Sequence, residues 1–463
     1  MRFLTALSKT LLMCILLLSS CSSPDQSGDD ASSKAPYQLM NVDPGHFHAG
    51  LVQKEMLEDV DSTVYVYAPA GPDVQDHLNR VESYNTREEN PTHWNQIIYT
   101  GPDFFEKMIA EKPGNIMVVA GNNAKKTEYI KRAVEAGINV LADKPMVINS
   151  KDFDMLKESF DIAQQNNVLL YDIMTERHEI TIMIQREVSQ IPGLFGELET
   201  GSVEDPAITK ESVHHFFKFV SGAPLKRPAW FFDVTQQGEG MVDIMTHLVD
   251  MIQWECYPEQ IIDYEKDIEI QNARRWATEL TPAMFKRVTY MDDYPDYLNK
   301  DIVNDSILKV YSNGEINYTL KGTHAKTSVI WNYEAPEGAK DTHYSIMRGT
   351  RANLIIRQGE KENYIATLYA EKSGNQSDAE FQTDLETAIS GLQTKYAGLA
   401  VVQDGDEFRI DIPDRLKVGH EAHFTQVAKK YLNYLKEGKM PDWEVPNMLA
   451  KYYTTTKGYE LSR

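Results

Sequence analysis

From residue 37 to residue 171 the chain alternates short apolar runs with segments of helical spacing. The apolar runs cover 37–42, 63–67 (TVYVY), 115–120, 139–142 and 168–171. Helical spacing falls between them, over 50–59, 127–136 and 152–165. Strand and helix in alternation build βαβ units, because parallel neighbours need a crossover long enough to hold a helix. The expected fold is therefore α/β, with a doubly wound parallel sheet over residues 37–172. Ligands of such sheets sit beyond the carboxyl ends of the strands. The turns placed there are Asp43-Pro44-Gly45-His46-Phe47-His48, Gly121-Asn122-Asn123 and Asp143-Lys144-Pro145.

With 463 residues the chain exceeds one ordinary core. After residue 172 the texture changes. Residues 175–190 read as a helix, and strand-like runs recur over 306–311, 315–320, 328–333, 352–357 and 399–412, the last with a turn at Asp404-Gly405-Asp406. This predicts an α+β domain over 173–463 with a largely antiparallel open sheet. Helical patterns at 423–436 and 445–459, separated by Gly438 and Pro441, are expected to pack back. There is no internal repeat.

The first residues read as an address. Arg2 and Lys9 precede an apolar stretch over 11–18 that is too short to span a bilayer comfortably. It ends in Leu18-Ser19-Ser20-Cys21, which resembles a bacterial lipobox. By that resemblance residues 1–20 are a signal peptide and Cys21 is lipidated, leaving the protein exported and anchored in the cell envelope, at the outer membrane's periplasmic or surface face. The lipid is then its sole membrane contact. Residues 21–36 are rich in Ser, Asp and Pro and read as a flexible tether. Lys plus Arg number 47 against 69 Asp plus Glu, a formal net charge of −22, which repels phosphate backbones and excludes nucleic acid as a natural partner. Three cysteines cannot make a disulfide framework.

The first βα turn is the expected dinucleotide site, but its glycines are degraded. Of a G-x-G-x-x-G pattern, Gly45 alone stands, in the middle position that lets pyrophosphate approach the backbone. No acid ends the second strand, where Tyr67 is followed by Ala68-Pro69-Ala70. Later segments are more specific. Glu135-Ala136-Gly137-Ile138-Asn139-Val140-Leu141-Ala142-Asp143-Lys144-Pro145 resembles the E-A-G-x-x-V-L-x-E-K-P segment of the glucose–fructose oxidoreductase, inositol dehydrogenase and MocA (Gfo/Idh/MocA) superfamily. The run from Gly240 to Asp250 (GMVDIMTHLVD) resembles its G-x-x-x-D-x-G-x-H-x-x-D segment. The stretch Arg348-Gly349-Thr350-Arg351-Ala352-Asn353-Leu354 and the closing helices resemble further parts of it.

The resemblance implies a Rossmann domain binding NAD or NADP and an alcohol oxidised by hydride transfer. Such oxidation needs a base for the hydroxyl proton while hydride leaves for the nicotinamide. Carried over by motif position, Lys144 and His247 converge on that hydroxyl, with His247 the leading base and Lys144 its electrostatic partner. Asp243, four residues before His247, would share a helix face with it and either orient the imidazole or contact substrate. Cofactor contacts are expected from Gly45, His46, Phe47, His48, Gly121, Asn122, Asn123, Asp143 and Lys144. Departures are Asp143 for glutamate, Met245 for glycine and Lys126 where many members have histidine. His215, Trp230 and Asp233, in an aromatic stretch with a carboxylate, suit a sugar platform, and Arg177 either touches substrate or caps. Glu176-Arg177-His178-Glu179 matches no zinc spacing, so no metal is expected.

An exported dehydrogenase has no obvious pool of cofactor to exchange with. The leading expectation is an NAD(P)-dependent oxidoreductase acting on a sugar or sugar-like polyol, with the cofactor tightly held. The alternative is a redox-neutral NAD-dependent glycosidase or lyase working through a transient keto-sugar. A third reading, from the degraded glycines, is a non-catalytic sugar-binding lipoprotein. The open sheet of this superfamily commonly pairs with a second copy, so a homo-oligomer is expected.

Overall fold

The computed structural model describes residues 35–220, 223–336 and 338–463. The signal peptide, Cys21 and nearly all of the tether lie outside them. Among the described residues no helix is long and apolar enough to cross a membrane.

Six strands form the first sheet: β1 (Leu39–Val42), β2 (Thr63–Ala68), β3 (Asn95–Thr100), β4 (Ile116–Val119), β5 (Asn139–Asp143) and β6 (Leu170–Ile173). Their order is β3-β2-β1-β4-β5-β6 and every pairing is parallel. The order reverses between β1 and β4, which opens a crevice at the carboxyl ends of these two strands. The crossovers carry α1 (His48–Leu51), α2 (Pro72–Thr86), α3 (Phe104–Glu111), α4 (Asn123–Glu135) and α5 (Phe153–Gln165). The helix expected over 50–59 reduces to α1. The carbonyls that would extend it are taken by side chains, Gln53 O by the Trp94 indole (2.7 Å) and Lys54 O by Arg87 (2.7 Å). The sequence reading also omits the edge strand β3, whose NQIIYT has weak apolar alternation and lies half exposed.

Beyond β6 come a 3₁₀ turn (Thr175–His178) and α6 (Ile180–Ser189), in place of one continuous helix over 175–190. The Glu179 side chain caps α6 by accepting from Ile182 N, which separates the two. The second sheet is mixed. Its strands are β7 (Ile208–Phe217), β10 (Ile268–Leu280), β11 (Ile302–Val303), β12 (Ile307–Leu320), β13 (Thr323–Glu334), β14 (Thr342–Arg348), β15 (Ala352–Arg357), β16 (Thr367–Lys372), β17 (Ala400–Asp404) and β18 (Glu407–Asp411). A separate small ribbon pairs β8 (Phe219–Val220) with β9 (Ala223–Pro224). The large sheet is antiparallel apart from the pairing of β7 with β13. Its helices are α7 (Val234–Gln237), α8 (Met245–Cys256), α9 (Pro282–Thr289) and α10 (Asp378–Leu392), followed by α11 (His420–Glu437) and α12 (Glu444–Leu461).

Two apolar cores result. One gathers Met40, Val64, Met117, Val140 and Leu170 of the parallel sheet with Phe424, Val427 and Tyr431 of α11 and Tyr452 of α12. The other joins Ile184, Leu248, Ile316, Tyr318 and Leu354 between α6, α8 and the mixed sheet. The last two helices thus complete the core of the first sheet, and α11 brings its amino-terminal end toward the crevice.

Candidate active site

Beyond β1 the backbone turns sharply. Asp43 takes a left-handed φ of 47°, its carbonyl accepts from Gly45 N (2.7 Å), and His46 N donates to Ala120 O (3.0 Å). The next loop, after β4, is pressed against this turn. A Cβ at Gly121 would lie 1.9 Å from the Asp43 carbonyl oxygen, and one at Gly45 would meet Asp73 Oδ2 at 3.3 Å and Trp230 Cζ2 at 3.5 Å. Gly121 therefore needs glycine, whereas a Cβ at Gly45 would ask the Asp73 side chain to give by a few tenths of an ångström. The bare backbone at Gly45 faces a narrow crevice at the sheet's switch point, a cradle of the kind a pyrophosphate requires. These residues fit a dinucleotide although two of three fingerprint glycines are missing. Asn122 caps α4 by accepting from Ala124 N, and it and Asn123 donate to Gln236 and to the Gln237 carbonyl. The asparagines thus tie the loop to α7. Phe47 stands exposed, with Arg80 over its ring at 5.6 Å. Burial and the nearby Asp73 push the Asp43 carboxyl up to about 6.

Beyond β5, Lys144 precedes a cis proline and donates to Asp243 Oδ1 (2.5 Å). Asp243 Oδ2 accepts from Gln237 Nε2 (2.9 Å). Asp243 sits in the turn before α8 rather than on it, so it holds the lysine, and the expected orientation of His247 by Asp243 is replaced by this pair. His247 lies in the first turn of α8 with Nδ1 buried and unpartnered. Burial, then the Lys144 and His420 charges, hold its pKa well below 6.5, so the ring is neutral at pH 7.

Between these parts lie His46, His48 and Asp143. His48 Nδ1 is 3.0 and 3.1 Å from the two Asp143 oxygens, and His46 Nδ1 is 3.6 Å from Oδ2. Lys126 is fully buried beneath them, donating to Asn123 Oδ1 (2.6 Å) and to the Asp143 carbonyl (2.9 Å), and burial brings its pKa down to about 8. At the start of α11, His420 lies 6.2 Å ring to ring from His48, and His423 lies 6.0 Å from His420. The sequence reading did not single out these two histidines or Asp73. The i,i+3 imidazoles opening the last helical pair were the available signal.

The substrate candidates fall elsewhere. Arg177 is buried in ion pairs with Asp250 (2.7 Å) and Glu444 (3.0 Å), which corrects both its substrate and its capping readings. Asp233 caps α7 and binds Thr235, Gln236 and Lys300, so its carboxylate is spent on structure. His215 faces Asp341 (3.3 Å) on β7, and Arg227 donates to the His215 carbonyl from between Phe231 and Trp331. Trp230 leaves the sugar platform for the nucleotide crevice, where its indole donates to Asp73 Oδ2 (2.9 Å).

Residues 58–172 match the family described as "Oxidoreductase family, NAD-binding Rossmann fold", and residues 184–463 match "Putative oxidoreductase C terminal domain". A crystal structure described as a "putative oxidoreductase" from Parabacteroides merdae is 57% identical, with TM-score 0.91, covering 93% of this chain and 98% of that one. A Thermotoga maritima structure under the same description is 11% identical, with TM-score 0.58, covering 92% and 97%. Levoglucosan dehydrogenase in complex with NADH shares the fold at 12% identity, with TM-score 0.58, covering 92% and 96%. No curated protein matches in sequence.

Proposed function

Because the chain belongs to the Gfo/Idh/MocA oxidoreductases, with their NAD-binding Rossmann domain, we propose that it oxidises a hydroxyl of a sugar or sugar-like polyol. The observation that carries this reading is the meeting of Lys144, Asp243 and His247 beside the Gly45–Gly121 crevice. The loops at Gly45 and Gly121 would hold NAD, which would supply a hydride acceptor for the carbinol carbon. His247, neutral with its Nδ1 buried, takes the hydroxyl proton on Nε2. The Lys144 ammonium, fixed by Asp243 and through it by Gln237, stabilises the oxygen as it gains charge. A sugar as substrate is also supported by the likeness to levoglucosan dehydrogenase.

The cofactor is NAD or NADP in this reading, because no acid ends β2 to discriminate at the adenosine ribose. Trp230 crosses from the second domain and latches on Asp73 over the same crevice, which supports a cofactor that is retained between turnovers. Retention suits a chain exported by its leader and anchored through Cys21, a placement that rests on the leader sequence. The outer face of the mixed sheet, where Tyr344 is exposed, is the surface a second copy would cover.

The test is to purify the protein without added nucleotide, denature it and identify what is released. Stoichiometric NAD or NADP, followed by a stable keto-sugar from a pyranoside, supports the oxidoreductase. Free sugar and aglycone at constant cofactor redox state would replace it with the redox-neutral glycosidase or lyase. A protein that carries no nucleotide and binds neither NADH nor NADPH would leave a sugar-binding lipoprotein.

A further inference from the structure

Three side chains in the crevice are left over by this reaction: His46 and His48 from one turn, and Asp143 from the end of β5, 95 residues beyond His48. We infer that His46, His48 and Asp143 form a binding site for a divalent first-row transition metal ion. One donor atom from each lies within 4.8 Å of the other two. An ion bound at about 2.0–2.2 Å needs donors roughly 3.0–3.5 Å apart, and the two measured separations from Asp143 Oδ2, 3.0 and 3.6 Å, bracket that range. Two imidazoles with one carboxylate select zinc, iron(II), cobalt or manganese over calcium and magnesium, which take oxygen ligands. Three protein ligands also leave coordination positions open.

Neither tautomer of His46 satisfies both contacts of its Nδ1. The amide of His48 points at His46 Nδ1 at 3.4 Å, a contact that requires that nitrogen to be bare. The bare nitrogen then faces Asp143 Oδ2 at 3.6 Å, acceptor against acceptor. Placing the proton on Nδ1 instead strands the His48 amide. A cation between the nitrogen and the oxygen makes both of them ligands and removes that repulsion, although the His48 amide then loses its acceptor as it does with the protonated ring. The two neighbouring ammonium groups are already engaged, Lys144 by Asp243 and Lys126 by Asn123 and the Asp143 carbonyl. Burial also keeps both imidazoles neutral, the form that ligates. The sequence held no zinc spacing because its ligands come from two strands' ends.

The experiment uses the full mature chain. Metal content is measured after purification without chelator, and chelator-treated protein is titrated with Co²⁺ while its visible d–d absorption is followed. The expected result is one metal per chain and one Co²⁺ equivalent bound. His46→Gln and Asp143→Asn should each weaken Co²⁺ at least about tenfold, while His324→Gln, a half-buried histidine on β13, leaves it unchanged. Sub-stoichiometric metal together with no saturable Co²⁺ spectrum overturns the site, as does binding indifferent to both ligand variants. If those variants misfold, anomalous diffraction from wild-type crystals grown with Co²⁺ decides: a peak among the three donors supports the site, and its absence overturns it. NADH titration run alongside keeps the outcomes apart, since lost nucleotide binding removes the oxidoreductase reading and leaves the metal result intact.

Discussion

His247 keeps its Nδ1 buried without a partner. A buried neutral imidazole is already in the basic form, so its pH behaviour departs from an ordinary histidine. Turnover per bound substrate is expected to stay level from about pH 8 down through about 6.5, where a free imidazole would titrate. A kcat/KM profile with an acid limb centred near that value would remove His247 from the base role. His247→Asn should lower kcat/KM by about 10²–10⁴ while leaving NADH affinity within a factor of a few. Lys144→Met should act on kcat similarly and free Asp243 of its ion pair. That these two residues lie near one another was legible from their motifs. The partner of Asp243 was not, because a spacing of four implies a shared helix face only if both residues are on the helix, and α8 begins two residues after Asp243.

At the scale of elements, the proposed nucleotide site is two loops pressed together. Gly121→Ala would force the β1 and β4 loops apart against a 1.9 Å clash with backbone, at a cost of about 1–3 kcal/mol. Calorimetric unfolding and NADH titration should therefore both show a loss. Trp230→Ala should leave the fold intact and speed NADH release at least several-fold, measured by stopped-flow chase. Unchanged release would dismiss the latch. The β1, β4 and β5 ends were readable because buried parallel strands are apolar runs closed by Gly, Asn and Asp turns. β7, the strand through which the antiparallel halves of the second sheet join, was not. Its ITKESVHHFF buries Lys210 and His215, and their burial is licensed by partners far along the chain, Glu255 for Lys210 (2.7 Å) and Asp341 for His215.

For the whole molecule, two features set stability. Between β6, α8 and α12, Lys451 is fully buried and pairs with Asp172 (2.6 Å) and Asp250 (2.9 Å), and Arg177 and Glu444 extend the network. Lys451→Met would leave the buried Asp172 carboxylate without a charged partner, Asp250 keeping Arg177, and is expected to cost about 3–5 kcal/mol, read as a fall in Tm. The other feature is histidine. Burial is the first cause that lowers the pKa of His46, His48, His77, His178, His247, His343 and His423. Each accepts a proton near pH 6.5 when unfolded but only at lower pH when folded. The unfolded state therefore binds more protons below about 6.5, and stability falls as pH drops through that range. Asp43, raised to about 6 in the folded chain, offsets part of this below that value. Tm should decline from about pH 7.5 to about pH 5, and a rising Tm over that interval would contradict the assignment.

The order of apolar runs and turns in the sequence determined a parallel sheet with a second sheet domain, and two motifs placed Lys144 and His247 in one site. These are local patterns, and period and turn chemistry are written residue by residue. Tertiary structure alone decided that Trp230 belongs to the nucleotide crevice, that Arg177 and Asp233 are structural, and that His46, His48 and Asp143 converge. Those facts depend on which distant charges and rings meet once side chains 95 residues apart come within hydrogen-bond distance. Burial then fixes which groups stay neutral and which must pair, and no single stretch of chain carries that information.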